Sequence, residues 1–168
     1  MAEATKKPVI SLADVPLRDN GHGDRFAAKT GSFGRMIGST GLGCMLHVVE
    51  PGKKAFPFHN HHGIHELFVI LEGEGTYRFG KDTYPVREGD VLAAPTGGPE
   101  TAHQIVNTGT KTLKYLGISA ASGTTEVVEY PDSGKFAVTS RFDWHNPSGG
   151  GIRFVGRQAD SLDYWDGE

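Results

Sequence analysis

The chain has 168 residues, with 17 basic and 20 acidic side chains and a formal charge of −3. Apolar residues at 37% and charged residues at 22% suit one folded domain with a core, and the slight acidity without a Lys/Arg cluster argues against nucleic acid as a partner. No apolar run approaches the ~20 residues of a membrane helix, the start MAEATKKPVI has no signal-peptide core, and the lone Cys44 cannot form an internal disulfide; the expectation is a cytoplasmic protein.

Glycine is the outlier. Its 24 residues are about twice the usual share and, with nine prolines, leave little room for long helices. Residues 1–40 read as a loose N-terminal arm followed by weakly marked leading strands. From Leu42 the pattern sharpens. Cys44–Val49 is an extended apolar run stopped by Pro51-Gly52. Glu66–Leu71 reads as a buried strand ended by Glu72-Gly73-Glu74-Gly75, and Thr76–Phe79 follows before the turn Gly80-Lys81-Asp82. Thr83–Val86 is a short strand whose Pro85 places it at a sheet margin. Val91–Ala94, His103–Asn107 and Thr112–Ser119 complete a succession of strands at intervals of about 8–12 residues, the pattern of an antiparallel sandwich or barrel.

Beyond residue 120 the strand pattern weakens, but Trp144, Phe154, Tyr164 and Trp165 are too many aromatics for a solvated tail. Residues 121–168 are therefore expected to pack on the barrel of residues 41–120 or on a partner subunit.

Four of the eight histidines fall in His59-Asn60-His61-His62-Gly63-Ile64-His65, directly before Glu66. Residues two apart on a strand share a face, so His59 and His61 point the same way. A carboxylate at the head of the Glu66 strand is costly to bury unless paired or metal-bound. His103, opening a later strand, is the fourth candidate. Spacing alone leaves two readings: a divalent-metal site, or a solvated histidine-rich loop with an exposed Glu66. His62 and His65 occupy the turn between strands, where exposure is the default. His47 reads as a satisfied core residue, and Cys44 as a small buried hydrophobe.

The stretch Gly52…His59-Asn60-His61…Glu66…Gly73 resembles the first motif of the cupin superfamily, G-x5-H-x-H-x3–4-E-x6-G. Gly89…Pro95-Thr96-Gly97…His103…Asn107 resembles the second, G-x5-P-x-G-x2-H-x3-N. Six residues separate Gly52 from His59 where the family has five, and five separate Gly97 from His103 where it has two. The Tyr130–Lys135 segment and the Tyr164–Glu168 ending are similar to stand-alone bacterial cupins. The resemblance implies an all-β double-stranded β-helix (jelly-roll) barrel. It also implies one divalent transition metal (Fe, Mn, Co, Zn or Ni) held by His59, His61, Glu66 and His103. It is compatible with dioxygenases, isomerases, decarboxylases and lyases, with dioxygenase chemistry slightly favoured, and with non-catalytic ligand binding or sensing. No catalytic residue is assigned. A metal-free structural role is disfavoured because all four ligand positions are filled. Partners are expected to be a small-molecule ligand or substrate and, as in other small single-barrel cupins, a second copy of the chain in a homodimer. Gly52, Gly73, Gly89 and Gly97 read as turn glycines supplying positive φ. In Thr76–Phe79, Tyr77 and Phe79 are expected to face inward, since Arg78 is rarely buried unpaired.

Overall fold

A computed structural model describes residues 7–120, 125–141 and 148–168; Trp144 and His145 lie outside them. The described residues form thirteen strands and four short 3₁₀ turns. β1 (Arg18–His22), β2 (Phe26–Ser32), β3 (Leu42–Val49), β10 (Leu113–Ala120), β5 (Glu66–Glu72) and β8 (Val91–Ala94) make a six-stranded sheet in the order β1-β2-β3-β10-β5-β8. β7 (Asp82–Arg87), β6 (Glu74–Phe79) and β9 (His103–Val106) make a second sheet. A third, in the order β13-β12-β11-β4, joins β4 (Asn60–His61) to β11 (Thr125–Tyr130), β12 (Lys135–Ser140) and β13 (Ile152–Gly156). All strand pairings are antiparallel, and the chain is a double-stranded β-helix, or jelly roll.

Strand alternation builds one interior. Along β5, Phe68 and Ile70 are buried, and across it Tyr77, Leu92, Ile105 and Tyr115 close the same cluster. Ile70 and Leu113 are almost wholly buried, each burial being worth about 2–3 kcal/mol relative to exposure. Tyr77 faces in, as expected, and its hydroxyl donates to Ala93 O at 2.9 Å. Arg78 faces out, with its guanidinium 3.6 Å from the Phe58 ring centroid. Pro85 lies on β7, an edge strand, where its missing N–H costs nothing.

The sheet has a second core on its outer face. Val15, Phe33 and Leu46 are buried there, packed with Ile10, Leu12, Ile37 and a half-buried Cys44. The N-terminal segment is thus a cover for β3 and β10 from Ile10 onward. The composition of residues 9–40 gave little sign of this, because single apolar residues separated by turns carry no period.

Three expectations need correction. The pattern beyond residue 120 is not weak in three dimensions: β11–β13 form a meander whose first strand pairs with β4, Val128 opposite His61 and Glu129 opposite Asn60. Gly97 has no positive φ, unlike Gly52, Gly73 and Gly89; space decides there, since a Cβ would sit 2.6 Å from Thr101 Cγ2. His47 is buried but not satisfied, its Nδ1 having no hydrogen-bond partner. The described aromatics of the C-terminal segment fall into two groups. Phe154 contacts Phe136, whereas Tyr164 and Trp165 meet each other edge to face and remain 84% and 71% exposed.

Candidate metal centre

The strand geometry brings all four candidate residues to one end of the interior. His59 and His103 exchange backbone hydrogen bonds, N to O at 3.2 Å and 2.7 Å, which places their rings 4.6 Å apart. His61 lies two residues on, its ring 5.0 Å from that of His59. Glu66 opens β5 between Ser119 of β10 and Ala94 of β8. Its Oε2 lies 3.1 Å from His103 Nε2 and 3.3 Å from His61 Nε2. Donor atoms of His59, His61 and Glu66 lie within 4.8 Å of one another, and His103 joins the group through Glu66.

Each imidazole turns its Nδ1 away from this cluster, towards an oxygen acceptor. His59 Nδ1 lies 2.8 Å from Pro57 O, and His103 Nδ1 lies 3.3 Å from Thr101 O. His61 Nδ1 lies 3.3 Å from Glu126 Oε1. All three Nε2 atoms are thereby left for the interior, the arrangement in which a histidine binds a metal through one nitrogen and is oriented through the other. The long segment between Gly97 and His103 has a role here. Its 3₁₀ turn Pro99–Thr101 supplies the carbonyl that anchors His103, and Gly97 bonds β4 through Gly97 N to His61 O and Asn60 Nδ2 to Gly97 O.

The electrostatics suit a cation. Burial, followed by the neighbouring His103 and His61, lowers the His59 pKa to about 4, so this imidazole is neutral and available as a ligand at neutral pH. Burial pushes the Glu66 carboxyl up, but hydrogen bonds from His103 and His61 outweigh it and hold the group well below the usual carboxylate range. Burial likewise lowers His61, yet Glu66 and Glu126 together raise it above its ordinary value. Three imidazoles and one ionised carboxylate form a borderline N/O donor set suited to Fe, Mn, Co, Ni or Zn. The half-buried Glu66, sharing one oxygen between two imidazoles, completes that donor set.

Two carboxylates of β11 stand along the ligand strand β4, Glu126 behind His61 and Glu129 beside Asn60 and His62, and the sequence reading did not single them out. Glu126, 9% exposed, accepts from the backbone N–H of His62 at 3.1 Å and of Gly63 at 3.3 Å. Glu129 accepts from Asn60 Nδ2 at 2.9 Å and contacts His62 Nε2 at 3.0 Å. The alternation Glu126, Val128, Tyr130 in Thr-Glu-Val-Val-Glu-Tyr was the available sign of a strand. Nothing local told which strand it would pair with. His62 is half-exposed and faces Glu129 rather than the cluster.

Residues 45–119 match the family described as Cupin domain. A protein of Methanocaldococcus jannaschii without an assigned role is 35% identical over 69 residues, 41% of this chain and 52% of that one. An oxalate-binding protein of Thermotoga maritima is 32% identical over 68 residues, 40% of this chain and 54% of that one. The chain thus spans about half the length of these curated relatives in its matches. A solved structure from Acidithiobacillus ferrooxidans, provisionally called a sugar phosphate isomerase, is 27% identical with a TM-score of 0.78, covering 95% of this chain and 98% of that one.

Proposed function

From a chain that belongs to the cupin superfamily through residues 45–119, we propose a metal-dependent protein that binds a small oxygen-rich molecule at one divalent ion. His59, His61, His103 and Glu66 would hold that ion. The observation that carries this reading is the cluster of His59, His61 and Glu66 donor atoms within 4.8 Å of one another, joined by His103 through a shared Glu66 oxygen, with each imidazole Nδ1 facing an oxygen acceptor. When bound, the ion supplies Lewis acidity and, if six-coordinate, two open positions for neighbouring oxygens of a ligand.

The relatives bear on the reaction class. One is named for oxalate, another provisionally for sugar phosphate isomerisation, and both names denote small ligands with oxygens on adjacent or nearby carbons. They support non-oxidative chelate chemistry, of isomerase or lyase type, over the dioxygenase reading favoured by the sequence resemblance alone. The wall behind the centre is aromatic: the rings of Phe68 and Tyr77 lie 5.6 and 6.4 Å from that of His103, and burial keeps the Tyr77 and Tyr115 hydroxyls protonated well beyond neutral pH. A second reading, ligand binding without turnover, is favoured by the oxalate-binding relative.

Metal content of protein purified without added metal tests the first step. Near one ion per chain is expected, with loss in the His59→Ala/His61→Ala double variant; no ion and none gained on titration refutes the metal site. Calorimetry with oxalate and with sugar phosphates, NMR for their turnover and oxygen uptake then separate isomerase, oxygenase and binder. We further propose that the chain is a homodimer, supported by exposed Ile152, Phe154 and Val155 on the edge strand β13 and by the exposed Tyr164 and Trp165. Sedimentation at micromolar concentration as a single 18.1 kDa species would overturn this.

A further inference from the structure

The three imidazoles of the candidate centre are not backed alike. His59 and His103 face backbone carbonyls, of Pro57 and Thr101, whereas His61 faces a carboxylate. That carboxylate belongs to Glu126 on β11, outside the residues matched as a cupin domain. It is placed there by strand pairing: Val128 stands opposite His61, and His62 N donates to Val127 O at 3.0 Å. Its Oε1 also accepts from the backbone of His62 and Gly63, so the carboxylate is locked to the far side of the ligand strand.

Two atoms here are buried without a completed hydrogen bond: His61 Nδ1, which faces Glu126 Oε1 at 3.3 Å, and the other carboxylate oxygen, Glu126 Oε2. Buried polar atoms are ordinarily satisfied, and an orphan in a native fold points to a missing ion or a functional poise. For His61 Nδ1, proton placement accounts for it. Without a metal, His61 Nε2 lies 3.3 Å from Glu66 Oε2, a contact that needs a proton on Nε2. A metal at Nε2 requires that nitrogen bare, so the remaining proton must sit on Nδ1, whose neighbouring acceptor is Glu126 Oε1.

We propose that Glu126 is a positioning residue for the metal centre: it takes the Nδ1 proton of His61, fixes that ring as an Nε2 ligand and adds a second negative charge to the site. This rests on the metal-site reading above. The consequence is specific to this chain's C-terminal strands: metal affinity depends on β11, because of the three imidazoles only that of His61 is backed by a carboxylate rather than a backbone carbonyl.

The test uses the full chain, stripped of metal with a chelator and titrated with Co(II) and with Zn(II). Glu126→Gln keeps an acceptor for the two backbone N–H groups but removes the charge. It is expected to weaken metal binding ~10–100-fold, the usual cost of losing such a partner, with the metal-free melting temperature little changed. Glu126→Asp, which keeps the charge on a shorter arm, is expected to recover part of that loss and serves if the glutamine variant folds poorly. Glu129→Gln, on the same strand but touching Asn60 and His62 instead, is expected to bind within ~3-fold of the parent. In the Zn(II) protein the His61 Nδ1–H proton resonance should lie downfield of those of His59 and His103 and should be the one that moves in Glu126→Gln. Binding by Glu126→Gln within ~3-fold of the parent overturns the proposal. So does an equal loss in Glu129→Gln, which would assign the effect to strand docking. A parent that binds neither metal refutes instead the metal-site reading on which the proposal stands.

Discussion

Replacing His47 by glutamine should remove a pH dependence that the native fold builds in by burying an imidazole. His47 is 4% exposed, stacked on Tyr115 at 4.4 Å between ring centroids and met edge-on by Phe56 at 5.6 Å. Burial lowers its pKa from 6.5 to about 4, and nearby backbone groups and Glu66 offset only part of that. A histidine depressed in the fold binds fewer protons there than in the unfolded chain, so its contribution to stability is complete above pH 6.5. That contribution is lost as pH falls from about 6.5 towards about 4. With these two values the lost stability is about 2 kcal/mol between pH 7 and pH 5, and about 3 kcal/mol by pH 4. The measurement is urea denaturation of metal-free parent and His47→Gln at pH 7, 6, 5 and 4.5. Glu66, His59 and His61 titrate in both proteins and largely cancel in the difference. The parent should lose its advantage over, or deepen its deficit against, the variant by about 2 kcal/mol from pH 7 to pH 5. Parallel pH profiles would refute the assignment of His47 as a buried neutral imidazole.

Two other substitutions probe the frame around the site. Asn107 is fully buried and ties three segments, donating to Val49 O at 2.7 Å and Lys111 O at 2.8 Å while accepting from Gly109 N at 3.1 Å. Asn107→Ala should cost about 3 kcal/mol in chemical denaturation, since it leaves buried backbone groups unpaired; a loss below about 1 kcal/mol would mean that water replaces the amide. Asp132 holds Arg78 in a two-pronged pair at 2.7 and 2.8 Å, but both side chains are over a third exposed. Asp132→Ala should therefore change stability by less than about 1 kcal/mol and lose that effect in high salt; a larger, salt-independent loss would show that the pair holds the β11–β12 turn to β6.

The residues of the candidate centre stood out in the sequence because two simple periods carry them. Strand alternation puts His59 and His61 on one side, and the motif glycines mark the turns that return the chain at Glu66 and His103. The inward Tyr77 and marginal Pro85 were readable for similarly local reasons, the cost of burying an unpaired arginine and the missing N–H of proline. Glu126 was not, because its importance lies in a pairing between β4 and β11 across more than 60 residues, and pairing partners are chosen by the whole fold rather than by either strand. The same holds for the N-terminal cover, where Ile10, Leu12 and Val15 have no periodic signal and gain their role only against the outer face of β3 and β10. His47 shows the reverse error: its strand position predicted burial correctly, but only the packing of Tyr115 and Phe56 around it decided that Nδ1 would find no partner. The sequence by itself determined which side chains could bind a cation, through residue type and period. The tertiary structure decided which nitrogen each histidine presents, because that depends on what stands behind the ring: a carbonyl for His59 and His103, and a carboxylate from a distant strand for His61.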